Sequence, residues 1–215
     1  MPRLLRRWYP LLLAAIGAGA SLLLYDRLPV SVAVHWNVDG APDGWAPRAV
    51  GAAMGPVFLL VLWAVLRLAP RLSARVDDSR FAAAYESIVA ATLLLVLATH
   101  GIVLAVALGL PVAVERVVPA LAGVLFLVVG NVMPIARPTW WFGVRTPWSL
   151  ADERVWVRTH RLAGLSMTGA GLVMLLAAIA LPARLGAAVV VGAAVASVVG
   201  PAVYSYLTWR RERER

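Results

Sequence analysis

The sequence predicts an all-α integral membrane protein with about six transmembrane helices and a small ordered extracytoplasmic loop between the first two. Three observations predict it. Of 215 residues, 61% are hydrophobic and only 14% charged, where a soluble domain carries about a quarter charged residues. Long uncharged runs recur along the chain, and a span needs roughly 17 to 25 predominantly apolar residues. The basic residues, all arginine, fall mostly on alternate sides of these runs.

The runs are Trp8–Tyr25, Ala49–Leu66, Ser87–Val114, Val117–Ala136, Leu162–Ala183 and Leu185–Trp209. The first resembles a signal peptide, but Tyr25-Asp26-Arg27-Leu28-Pro29 offers no small-x-small cleavage site, so it reads as a retained helix. The third is interrupted only by His100, and Leu110-Pro111 ends its helix. The last two are separated by Arg184 alone; with Pro182 this predicts a tight helical hairpin. An N-terminus inside puts sixteen arginines in cytoplasmic segments and four (Arg27, Arg48, Arg116, Arg184) outside. Such asymmetry orients a bundle with both ends in the cytoplasm. A net charge of +9 therefore reports topology, not nucleic acid. Absence of cysteine excludes disulfides and thiolate sites.

The runs divide the chain into a two-helix N-terminal domain (1–70), a cytoplasmic linker (71–86) and a four-helix membrane domain (87–215). Ala188, Gly192, Ala196 and Gly200 place small residues on one face of the sixth span, as Ala15 and Gly19 do in the first. Such faces let a neighbouring backbone approach. His100 and Asn131, polar within spans, are expected to face the bundle interior.

Two polar segments are long enough for chemistry. In the outer one, Asp26 to Arg48, valines alternate through Val30, Val32 and Val34, a strand period that puts His35, Asn37 and Asp39 on one face. Asp39-Gly40 and Pro42-Asp43-Gly44 are turn signals. Trp36 and Trp45 suit the membrane–water interface. His35, Asn37, Asp39, Asp43 and Trp45 are the candidate ligand-binding surface. His35, Asp39 and Asp43 are the only metal candidates, and their spacing fits a hydrogen-bonded turn cluster better than a zinc site. No cofactor is implied.

In the inner segment, Pro134 and Pro138 end the fourth span. Ser149-Leu-Ala-Asp152 reads as an acidic capping box with Ser149 as N-cap. A helix then starts near Leu150 and continues into the fifth span, carrying Glu153, Trp156 and His160 on one face. Arg145 lies within reach of Glu153. Asn131, Arg145, Glu153, Trp156 and His160 form the candidate cytoplasmic cluster, with Trp148 and Trp156 as interfacial anchors. There is no nucleophile elbow, P-loop, paired zinc histidines or dinucleotide turn, which weighs against an enzyme.

These segments also carry a family pattern. His35-Trp-Asn-x-Asp-Gly40-x-Pro-Asp43-x-Trp45 resembles the domain of unknown function often found ahead of SdpI-type membrane domains. Gly130-Asn131-x-Met-Pro134, Gly143-x-Arg145-Thr-Pro147-Trp148 and Glu153-x-x-Trp156-x-x-Thr159-His160-Arg161-x-Ala-Gly164 resemble the SdpI core. The resemblance implies a bacterial plasma-membrane protein giving immunity to a secreted peptide toxin and signalling by recruiting a cytoplasmic repressor. A membrane-interface enzyme using His35 with Asp43, or Glu153 with His160, and a small transporter using His100 and Asn131 are the other readings.

Overall fold

The computed structural model describes residues 3–72 and 79–214, with side chains from Trp8 to Pro70 and from Arg80 onward. Seven α-helices and one β-hairpin are formed in the described residues. Helix α1 (Arg3–Leu24) leads to strands β1 (Ser31–Trp36) and β2 (Pro42–Pro47). There follow α2 (Arg48–Leu68), α3 (Ser79–Ala107), α4 (Val114–Val132), the short α5 (Pro147–Ala151), α6 (Glu153–Ala180) and α7 (Ala183–Arg213). All but α5 are long and apolar enough to cross a membrane, six in all, and the chain is a multi-pass membrane protein.

Helix α3 begins well before the apolar run at Ser87 and ends just short of Leu110-Pro111. Its first turns, Ser79 to Glu86, lie inside the segment read as a linker. Arg75, counted among the cytoplasmic arginines, lies outside the described residues. Glu86 meets Arg67 of α2 at 2.6 Å, and the Tyr85 hydroxyl donates to the Leu66 carbonyl. The end of α2 and the start of α3, away from the hairpin, are thereby tied together.

The helices pack in two groups. Helices α1, α2 and α3 contact one another, and α4, α6 and α7 form the second group, with α3 touching α4 between them. The closest approach is α4 on α6. A methyl on Gly130 would lie 2.7 Å from the Thr168 backbone nitrogen and 2.9 Å from the Gly164 carbonyl oxygen; one on Gly164 would lie 2.8 Å from the Gly130 oxygen. Gly123 and Gly171 face each other in the same way one heptad along. Lipid gives no hydrophobic reward for pairing two apolar helices, so close packing through small residues supplies the attraction.

The small-residue faces expected from the sequence are not the ones used. Ala188, Gly192, Ala196 and Gly200 are exposed on α7, with nothing near Gly192 or Gly200. On α1, Ala15 is exposed, and Gly17 rather than Gly19 meets Leu97 and Pro56. Spacing of four marks a face but does not say what covers it.

In the first group, His100 sits at the junction of three helices and is 3% exposed. The Ser21 hydroxyl donates to the Ala52 carbonyl (2.7 Å), and Ser21 Oγ lies 2.8 Å from His100 Nε2. Because that hydroxyl proton is committed to Ala52, the imidazole proton is on Nε2. Interior placement was expected for His100 and is observed. Asn131 is exposed, so the expectation that it faces the interior is corrected: its turn of α4 presents Val132 and Gly130 to the bundle instead.

The His100 ring lies so close to Gly55 of α2 that a Cβ there would overlap Cγ and Nδ1. Gly101 has open space. Gly55→Ala is therefore expected to destabilise the protein by about 1–3 kcal/mol, as overpacking does, and Gly101→Ala to leave stability nearly unchanged. Thermal unfolding in detergent, read as loss of monodispersity, checks the pair.

Candidate functional site

The segment expected to form an outer cap is the β-hairpin. Its strands pair antiparallel, Ser31 with Pro47 and Val32 with Ala46, with bulges around His35. Val32 is fully buried against the start of α2 and the end of α3, beside Leu28, Ala52, Val103 and Leu104. The cap is thus seated on the bundle by an apolar plug. The predicted strand period fails after Trp36, because Asn37 turns the chain. Its side-chain oxygen accepts from the backbone N–H groups of Asp39 and Ala41, each at 3.0 Å. Gly40 takes φ +77°, which a β-branched residue tolerates poorly, and a side chain there would run into Glu115 at the start of α4.

The strand period that put His35, Asn37 and Asp39 on one face therefore stops at Trp36. His35 Nδ1 pairs with Asp43 Oδ1 at 2.5 Å, with both side chains substantially exposed, where such pairs contribute little. Asp39 leaves the hairpin to meet Arg184, in the first turn of α7, through bonds of 2.9, 3.3 and 3.0 Å. This is bidentate fork-to-carboxylate geometry. Asp39 is thus diverted from His35 and Asp43, and the three metal candidates do not converge. Trp45 stays exposed. The Arg184 guanidinium holds the Asp39 carboxyl below its usual value of 3.8.

The inner segment is a packed plug. Thr146, not Ser149, caps the first helix: its hydroxyl accepts from the Ser149 N–H while the Ser149 hydroxyl accepts from the Thr146 N–H, a reciprocal box with Pro147 at the first helical position. The short α5 ends at Ala151. Asp152 then starts a second helix, accepting from the N–H groups of Arg154 and Val155 at 2.7 and 3.3 Å. From there α6 runs unbroken into the fifth span, as expected.

This double cap redirects the cluster. Trp156 and His160 do stack, with ring centroids 3.8 Å apart, but both are fully buried. Trp156 is a core residue whose Nε1–H donates to the Ala136 carbonyl at 2.8 Å, not an interfacial anchor. His160 Nδ1 lies 2.9 Å from the Trp156 carbonyl, and Nε2 accepts from the Val144 N–H at 3.0 Å. A carbonyl on one side and an N–H on the other select the tautomer protonated on Nδ1. Gly143, at φ +98°, lets the loop press onto this ring; a side chain there would overlap Nε2. Arg145 instead donates to the Trp140 carbonyl, and Glu153 is exposed at the start of α6. The expected Arg145–Glu153–His160 cluster does not form.

Several residues that the sequence reading passed over hold this plug. Ser205 of α7 lies 2.9 Å from the Thr146 hydroxyl and accepts from the Trp148 indole. Trp148 packs edge-on against Tyr206, with centroids 5.2 Å apart. Glu212 takes Arg158 at 2.7 Å. Trp141 and Phe142 join Phe81 and Tyr85 of α3 in one aromatic group. Ser205 is a polar residue within an apolar span, the same signal that singled out His100.

Residues 135–205 match the SdpI/YfhL protein family, and residues 12–60 match a domain of unknown function, DUF1648. The chain is also similar to the Immunity protein SdpI of Bacillus subtilis (strain 168), 24% identical over 154 residues, 72% of each chain. No solved structure matches. The first family match begins at the loop that seats on His160 and ends at Ser205; the second runs from the middle of α1 through the hairpin into α2.

Two outcomes follow from these contacts. His160→Ala and Gly143→Ala should lower abundance in the membrane several-fold, whereas Arg145→Lys and Glu153→Gln should leave it near the parent level; quantitative immunoblotting of membranes distinguishes them. Asp39, with its folded pKa depressed by Arg184, contributes to cap docking above the unfolded value and loses that contribution as pH falls through the folded one. Spin labels at Val38 and Leu185 should therefore keep one distance from neutral pH down to about 4 and separate below the ordinary Asp value of 3.8.

Proposed function

We propose that this chain, with an SdpI/YfhL segment behind a DUF1648 segment, is a membrane immunity and signalling protein. It meets a secreted peptide toxin at the outer cap and a cytoplasmic repressor at the inner plug. The name of the Bacillus relative is the source of the immunity reading. The observation that carries it here is the Asp39–Arg184 pair. It joins the cap of the DUF1648 segment to the turn between the last two spans, so a ligand that displaces the cap acts directly on α6 and α7. The inner ends of those helices hold the plug through Trp156, His160, Ser205 and Glu212. A rearrangement of packed helices of this kind is a recognised route for a switch.

The arginine asymmetry supports an orientation with both ends in the cytoplasm. The inner face then presents exposed Arg145, Arg154 and Arg161 beside an exposed Trp140, a surface suited to a partner or to anionic headgroups. An acid–base role for His160 is disfavoured by two occupied ring nitrogens, and a polar transport path through His100 and Asn131 by the exposure of Asn131.

The test uses a susceptible Gram-positive host without its own immunity gene, challenged with the killing peptide against which the family's characterised member protects. The parent chain should restore survival. Asp39→Asn and Arg184→Gln should each reduce protection at normal abundance, and the exchange Asp39→Arg with Arg184→Asp should recover part of it. Full protection by both single variants would remove the outer cap from the mechanism. Reporter fusions after Gly40 and after Arg154 should report opposite sides of the membrane; same-side signals would overturn the orientation.

A further inference from the structure

Two apolar grooves run down the exposed side of α2. One, of about 340 Å³, lies between α1 and α2, with Leu22 and Tyr25 on one wall and Ala52 and Pro56 on the other. The second, of about 540 Å³, is shaped by α2 alone, with Met54, Phe58 and Val61 along it. Both volumes fall in the range of small-molecule sites. The grooves share Ala49, Ala53 and Val57, so they flank one ridge, and on α2 both start at Ala49, directly after Arg48.

Apolar walls alone do not name an occupant, but the head of the ridge is charged. Helix α2 has 21 residues, a rise of about 31 Å, which matches a hydrocarbon core of roughly 30 Å. Arg48, its first residue, is therefore level with the lipid headgroups. Its Nε–H donates to the Pro29 carbonyl at 3.4 Å, and its guanidinium carbon lies 5.7 Å from the centroid of the Tyr25 ring. A cation over an aromatic face is attracted to it, and this contact holds the charge beside the groove that Tyr25 lines. Nη1 and Nη2 are open to the surroundings and make no hydrogen bond, and among the described residues no carboxylate pairs with Arg48. The Tyr25 hydroxyl is free too, on an exposed side chain. The first turn of α2 has no side-chain cap, so its partial positive charge adds to the arginine's. Asp26 and Arg27, next to Tyr25 in the chain, carry opposite charges and leave this end positive.

We propose that a diacyl phospholipid is held on this ridge, its phosphate on the Arg48 guanidinium and the Tyr25 hydroxyl and one acyl chain in each groove. A guanidinium presents parallel N–H groups that match two oxygens of a phosphate. An uncompensated cation with free donors disfavours a cationic head. Diacylglycerol fills both grooves but leaves the guanidinium unmatched, and a fatty acid fills only one. The site is independent of the toxin reading, since it is built from α1, α2 and the turn between α1 and β1 and shares no residue with the Asp39–Arg184 contact.

The test uses the full chain in detergent, titrated with dipalmitoyl phosphatidylglycerol, dipalmitoylglycerol or palmitate and read by native mass spectrometry. Phosphatidylglycerol should be retained about ten-fold more tightly than either other probe, the preference expected for a charge-assisted contact. Arg48→Gln should abolish that preference, and Arg48→Lys should keep part of it. Arg116→Gln, which removes an exposed arginine from α4, should leave it unchanged. Ala53 is exposed, so Ala53→Trp should fold like the parent yet weaken phosphatidylglycerol retention several-fold by broadening the ridge between the grooves. Equal retention of the three probes, a preference that survives Arg48→Gln, one that falls as far with Arg116→Gln, or unchanged retention in Ala53→Trp would overturn the proposal and leave these grooves to unselected bilayer lipid.

Discussion

The architecture depends on the backbone-to-backbone approach of α4 and α6. At Gly123–Gly171 and Gly130–Gly164 the two helices come so close that a single added carbon on either side would collide. In a bilayer this contact is a main source of attraction between helices, because lipid solvates a leucine as well as another helix does. The pairing fixes α6, and α6 reaches both ends of the molecule. At one end it carries Trp156 and His160; at the other it hands over to the turn that bears Arg184.

From that axis the inner plug follows. Irregular backbone near a membrane needs its polar groups satisfied within the protein. The chain from Met133 to Asp152 meets this need with side chains: Val144 N–H on His160, Ala136 carbonyl on Trp156, and the Thr146–Ser149 exchange. Each contact fixes one backbone group of an otherwise extended loop, and together they make the loop part of the core. The histidine's value here lies in its pattern of one donor and one acceptor, not in its titration.

Much of the fold was legible in the sequence. The six spans are apolar runs, and nothing else in a chain this hydrophobic could become of them. The first strand was announced by alternating valines and its turn by Asp39-Gly40, but Pro42-Asp43-Gly44, read as a second turn, opens strand β2 instead. What misled were signals with two solutions. Thr146-x-x-Ser149 and Ser149-x-x-Asp152 overlap by one residue, and the first prevails because Pro147 favours the opening turn of a helix, which frees Asp152 to start the next. Glu153 therefore opens α6 and does not follow the Thr146 cap in one continuous helix. The exposed stripe on α7 and the buried glycines of α4 and α6 look alike as spacing, since a four-residue or seven-residue repeat names a face without naming its neighbour. Asp39 and Arg184 are 145 residues apart, and no local pattern could pair them.

That separation bears on how the protein is made. Membrane proteins are inserted from the N-terminus onward, so Asp39 is made while most of the chain is still unsynthesised. Its partner arrives only with the first turn of α7. Until then the hairpin has its apolar plug on α2 and α3 but no ionic latch. The Asp39–Arg184 bond thus closes only once the chain has reached α7, and the latched cap marks a molecule in which both segments are present.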